Sequence, residues 1–150
     1  CENVFLNPAA TGRSLLAVVS ARREEGMAKA IGARVGLHPN DPTLAIEALS
    51  GGNQQKVVVG RWLDSGRRLL ITEDPTAGVD VGAKAEIYHL LYQALASGMG
   101  VLVVSTDFEE IAAICHRAIV FSRGLPVGEL SGVHLSTQSL IQAASAGEAA

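Results

Sequence analysis

The sequence predicts an α/β protein on three observations. Two apolar runs, at residues 68–72 and 101–105, are too short for helices; apolar residues at helical spacing surround them; glycine-rich breaks separate the two textures. Strand, helix, strand and helix in this order imply a parallel sheet whose strands are buried on both faces and so read as continuous apolar runs.

Each element follows from local pattern. Residues 22–37 put Met27, Ala30, Ile31 and Val35 on one side of a helix. Gly36, Pro39, Asn40, Asp41 and Pro42 then form a breaker cluster, and a loop is expected there. A second helix is expected over residues 53–63, with Val57, Val58, Arg61 and Trp62 covering more than one face, and it stops at Asp64-Ser65-Gly66. Residues 68–72 make a strand that runs into Glu73 and Asp74. Ile87, Leu90, Leu91, Ala94 and Leu95 repeat at helix spacing until Gly98 to Gly100. Residues 101–105 form the next strand, and Asp107 can cap a helix carrying Phe108, Ile111, Ala112 and Ile114. Residues 118–121 and 126–130, parted by Ser122-Arg123-Gly124, read as a hairpin. From Ser136 a helix is expected through Ile141, followed by a fraying Ala/Ser/Gly tail. Trp62 and Phe108 read as core residues.

With 150 residues, 48% of them hydrophobic, the chain is long enough for one core of ordinary size. Within it the expected parts are a helical subdomain at 1–64, a partial α/β core at 65–135 and a C-terminal helix and tail at 136–150. A net charge of −3 supplies no basic field for nucleic acid. Cys1 and Cys115 are too isolated for a disulfide framework or a zinc spacing, which suits a reducing cytosol. No apolar stretch of about 18–20 residues is present, so the sequence carries no helical membrane span. It starts at Cys1 in what reads as a helix fragment, and is expected to be a piece of a longer protein. His38, His89, His116 and His134 form no ligand-spaced pair and read as surface or structural.

The segment richest in chemistry is Leu49-Ser50-Gly51-Gly52-Asn53-Gln54-Gln55-Lys56. A hydroxyl and two glycines directly before a helix make an anion site: backbone N–H groups can approach a phosphate, and the positive end of the helix favours negative charge. The plain alternative is a flexible loop with a helix cap. The second segment, Leu69-Leu70-Ile71-Thr72-Glu73-Asp74-Pro75-Thr76, ends a buried-type strand in two carboxylates. Successive strand side chains point to opposite faces, so one carboxylate can meet a metal and the other a water. The plain alternative is a solvated turn.

Together these segments resemble the ATP-binding-cassette family, whose signature reads Leu-Ser-Gly-Gly-Gln and is followed by a strand ending Asp-Glu-Pro-Thr. The spacing from Ser50 to Glu73 suits a signature helix, a link and one strand, and Ala77-Gly78-Val79-Asp80 matches the family's D-loop. Asn53, with the run from Gly78 to Tyr88, resembles the second cassette of ribose-, xylose- and galactose-type importers, as does Glu2-Asn3-Val4-Phe5-Leu6 in the helical subdomain. The resemblance implies a partial P-loop-NTPase-like nucleotide-binding domain using ATP and Mg²⁺. It also implies a place on the cytoplasmic face of the inner or plasma membrane. The implied partners are another cassette, membrane permease subunits and, indirectly, a sugar-binding protein. Ser50, Gly51, Gly52, Asn53, Gln54 and Asp80 are the implied nucleotide contacts. Glu73, Asp74 and Thr106 fall at catalytic positions, with Glu73 serving magnesium through water.

The sequence also departs from that family. It has no Gly-x-x-x-x-Gly-Lys-Ser/Thr phosphate loop. The nearest imitation, Thr11-Gly12-Arg13-Ser14, has arginine for lysine and Asn7 for the first glycine. No glutamine loop precedes the signature. Glu73 then Asp74 exchanges the family's carboxylate order, leaving Asp74 about one C–C bond, ~1.5 Å, short of the attacking water. Misplacement near 1 Å can cost on the order of a hundredfold in rate, which implies a slow site. Thr106 stands where the family has a histidine on the terminal phosphate. The expectation is an ATPase segment inactive alone, whose signature completes another cassette's ATP site. The competing readings are a noncatalytic interaction module and the ATPase head of a DNA-repair protein. The latter fits poorly, because such heads insert long coiled coils before the signature and the region up to Leu49 is short.

Overall fold

The computed structural model describes Val4 and residues 20–148. The Glu2–Leu6 resemblance apart from Val4, the Asn7 and Thr11–Ser14 imitation, and Cys1 lie outside the described residues. The chain divides into two compact units, Cys1–Ile71 with Pro75–Leu102 and Thr72–Asp74 with Val103–Ala150.

Among the described residues, the first unit holds the α-helices α1 (Ala21–Arg34), α2 (Gly51–Leu63) and α3 (Val81–Ala96). α1 buries Ala28, Ile31 and Gly32, with Val35 next in the same row, so the inward stripe runs through Ala28 and not Ala30, which is exposed. The helix ends at Arg34 because the chain leaves it at Val35 and turns at Gly36, and Leu37 reaches the core from the loop. Val35, Leu37, Val57, Val59, Ile87 and Leu90 form that core, with Val4, Ile46, Leu49, Leu63 and Val79 packed against it. A 3₁₀ turn at Ile46–Ala48, too short for a periodic signal, precedes α2. Trp62 is not core: it is 38% exposed, with the Arg61 guanidinium 5.8 Å from its ring centroid. It borders an open cavity of about 160 Å³ together with Leu69, Ile71 and Met99.

β1 (Leu69–Glu73) and β2 (Gly100–Val104) pair side by side. Gly100 N–H donates to the Arg68 carbonyl and Asp74 N–H to the Val104 carbonyl, both at 2.8 Å. Residue numbers rise together along the two strands, so the pair is parallel and α3 is its crossover. Burial of both faces is not realised: Leu69 is 55% exposed, Ile71 63%, Leu102 51% and Val104 50%, alternating with more covered neighbours. The apolar runs fit a two-sided sheet, and within the described residues one side has no cover.

The second unit adds α4 (Phe108–Ile114), β3 (Arg117–Ser122), β4 (Leu125–Ser131) and α5 (Thr137–Glu148). Asp107 caps α4 as expected, its side chain accepting from Glu109 and Glu110 N–H. β3 and β4 form the expected hairpin, closed by Arg123 and Gly124 at φ 50° and 81°, the paired left-handed conformation of a tight two-residue loop. The core here is Ile111, Val120 and Leu140, with Phe108 and Cys115 packed on it. Burial, then the charge of Glu110, pushes the Cys115 thiol above its ordinary value. α5 continues well past Ile141, because its small residues pack on the hairpin. A Cβ on Gly147 would stand 2.6 Å from Val127, and one on Gly128 3.3 Å from Ala143.

Candidate functional site

The first half of the site is the start of α2. Ser50 is its N-cap, with Oγ accepting from Asn53 N–H at 3.5 Å and from the Asn53 amide at 2.9 Å. Ser50 and Gly51 are exposed. The first N–H groups of a helix have no partner within it, and this end is the positive one. Gly51 has open space beside it, the nearest atom to an added Cβ being the Gly78 carbonyl oxygen at 3.7 Å. Gly52 differs: it is buried, and an added Cβ would lie 2.5 Å from that of Ala83. Its missing side chain is what lets α2 close on α3.

The polar string behind the glycines turns inward. Asn53 Nδ2 donates to the His38 carbonyl at 2.7 Å, and Asn53 Oδ1 accepts from His38 N–H at 3.3 Å. Gln54 Nε2 donates to the Leu49 carbonyl at 2.9 Å. Gln55 Nε2 donates to the Pro75 carbonyl at 2.8 Å. Lys56, 5% exposed, donates to the Gly36 carbonyl at 3.0 Å and pairs with the Glu86 carboxylate on α3. Four successive side chains thus fasten one helix turn to the Gly36–His38 loop, the residue before the cap, the turn at Pro75 and α3.

Asp80 caps α3, its Oδ1 accepting from Ala83 N–H at 3.0 Å. Asp80, Ser50, Gly51, Gly52, Asn53 and Gln54 all belong to the first unit, whereas Glu73, Asp74 and Thr106 belong to the second.

In the second unit Glu73 ends β1 and is exposed. Asp74 already lies beyond the strand, at φ 41°, so strand alternation does not set its direction relative to Glu73. Its backbone N–H is held by the Val104 carbonyl, and its Oδ1 accepts from Thr106 N–H at 3.4 Å. Asp74 and Thr106, far apart in sequence, therefore meet. Left-handed φ is least costly for Gly, Asn and Asp, and the aspartate is the shorter of the two acids at this bend. Among the described residues, no group of three or more His, Cys, Asp or Glu could hold a metal ion. All four histidines are exposed.

Gln55, Lys56 and Glu86 are absent from the site read from sequence. Position carries the missed signal: Lys56 sits one turn from Gly52 and Gly60, both buried, and so on the covered side of its helix.

No protein-family model matches the chain. It is 36% identical over 146 residues to a ribose import ATP-binding protein RbsA of Hahella chejuensis, covering 97% of this chain and 29% of that protein. It is 40% identical over 128 residues to a putative ribose/galactose/methyl galactoside import ATP-binding protein of Rhizobium meliloti, covering 85% of this chain and 26% of that one. The chain therefore spans less than a third of these relatives' length. Among solved structures, the ADP conformation of the ATP-binding cassette MJ1267 superposes with a TM-score of 0.74 at 21% identity, covering 98% of this chain and 60% of that one. A nucleotide-free cassette from an ABC transporter gives 0.73 at 20% identity, covering 97% and 58%. Over nearly its whole length the chain is homologous to the ribose and galactose import ATP-binding proteins, and it carries part of the fold of an ATP-binding cassette.

Proposed function

We propose that the chain works as part of the ATP-binding subunit of a carbohydrate importer, where its signature, Ser50 to Gly52, completes an ATP site held by a partner cassette. The observation that carries this reading is the state of α2's first turn: Ser50 and Gly51 face solvent at the positive end of a helix fastened by Asn53, Gln54, Gln55 and Lys56. Preorganised N–H donors that need no rearrangement suit a terminal phosphate. The amides of Asn53 and Gln54 act as braces in this reading and not as ligands.

The chain's own carboxylates support only a slow site. Asp74 Oδ1 is occupied by Thr106 N–H, and Thr106 has no imidazole to offer a phosphate. Glu73 is free to reach a magnesium shell through water. With no cluster of protein ligands beside it among the described residues, the ion would arrive with the phosphates of ATP, as magnesium commonly does. ATP supplies the phosphoanhydride; Ser50 and the Gly51 and Gly52 N–H groups orient its terminal phosphate. The partners this reading requires are a cassette bearing a phosphate loop and the permease subunits.

The test is Ser50→Arg in the assembled importer, which should abolish ATP-driven uptake, while Asp74→Asn should change total hydrolysis little. A large loss from Asp74→Asn overturns the asymmetric reading. Uptake that survives Ser50→Arg overturns the role of the signature. The chain by itself should neither bind nor hydrolyse ATP in a nucleotide-binding titration.

A further inference from the structure

We propose that Gln55 is a positioning residue which ties the signature helix to the turn after the carboxylates, so that this turn and the signature move as one piece. The inference rests on the reading of Ser50 to Gly52 as a donor of a partner's ATP site, and it concerns how that site is controlled.

Gln55 lies on α2 a little over one turn from Ser50 and is half-buried. Its amide donates to the Pro75 carbonyl at 2.8 Å. Pro75 is fully covered, Thr76 beside it is 3% exposed, and Pro75 directly follows Asp74 in the chain. A buried turn cannot yield locally, so a hydrogen bond to its backbone transmits displacement instead of absorbing it. The neighbouring braces anchor the same helix turn to parts of the first unit outside this turn: Asn53 to His38, Lys56 to Gly36 and Glu86. Among Asn53, Gln54, Gln55 and Lys56, only Gln55 reaches the residue next to Asp74. Charge does not make the link; an N–H donor of the right length does.

That chemistry gives a specific test. In the assembled two-cassette ATPase, Gln55→Leu keeps the size of the side chain and removes the donor. It should lower kcat about tenfold while leaving KM for ATP within about twofold, because the signature donors are then less well placed on the terminal phosphate in the transition state. Gln55→Glu should be equally impaired at alkaline pH, where a carboxylate faces the Pro75 carbonyl and cannot donate. That repulsion favours the protonated acid and raises its pKa, so activity should return as pH falls and the acid O–H replaces the amide. A helix that merely needs packing gives no acid-rescued profile. Ser50→Arg serves as control. If it abolishes hydrolysis while Gln55→Leu keeps full kcat, or Gln55→Glu shows the wild-type pH profile, the positioning role is overturned and the signature reading stands. If Ser50→Arg is itself active, the signature reading fails first.

Discussion

The start of α2 and the end of β1 carry the two motifs read from the sequence, and they are built in opposite ways. Behind Ser50, four consecutive polar side chains each have an intramolecular partner, and Gly52 is closed by Ala83. At β1 the Glu73 side chain ends in solvent, and Asp74 sits at positive φ with one carboxylate oxygen on a backbone amide. The contrast teaches that the motif proposed to complete another cassette's site is firmly braced here. The motif that would do chemistry within this chain has settled into local bonds.

The largest effect that would break this contrast is at Lys56. Lys56→Ala removes a buried stem and the bond to Gly36, and should cost about 2–3 kcal/mol by urea unfolding. Glu86 is 60% exposed on its side chain and is rehydrated when Lys56 goes, so the full penalty of a stranded buried charge does not apply. Gly52→Ala should follow at about 1–2 kcal/mol from overpacking against Ala83, and Gly52→Ala with Ala83→Gly should recover most of it. Asp74→Gly relieves left-handed strain while losing the Thr106 bond, so stability should change by less than about 1 kcal/mol. If Asp74→Gly costs as much as Lys56→Ala, the carboxylate turn is as firmly built as the signature and the contrast fails.

The smallest effect is in the hairpin. Arg117 and Glu129 pair at 2.6 Å on the surface, and each holds the other in its charged form: the Arg117 hydrogen bond lowers Glu129, and Glu129 raises Arg117. A depressed carboxylate contributes stability above its unfolded pKa and loses it as pH falls through the folded one. NMR titration should therefore find Glu129 below the usual glutamate range, and Glu129→Gln should leave neutral-pH unfolding almost unchanged, since exposed pairs contribute little. The Cys115 thiol, pushed up, should react slowly with iodoacetamide at neutral pH.

Much of the fold was legible because it rests on local rules. The Asp107 cap, the Arg123-Gly124 hairpin and the α3 stripe of Ile87, Leu90, Leu91 and Ala94 each announce themselves within a few residues. The site was legible as a pair of motifs, while its internal bonds were not. Nothing in Asn53-Gln54-Gln55 says whether amides turn to a ligand or to His38, Leu49 and Pro75, since those partners come from other segments. The position of Asp74 outside the strand was hidden for the same reason: its conformation depends on Val104 and Thr106. The two-sided burial expected of β1 and β2 is not realised among the described residues, where Leu69, Ile71 and Leu102 are exposed, because an apolar pattern does not say which segment covers it. Those three side chains should make the isolated chain self-associate in light scattering, and Ile71→Lys should raise the monomer fraction.

The close seat of Gly147 on Val127 sets a limit for anyone splicing this sequence to another protein. Composition reads the alanine-rich end beyond Ile141 as a fraying tail, yet that stretch is the strap that keeps the β3–β4 ribbon in place, and a cut there would unbuckle it. A fusion partner belongs after Glu148.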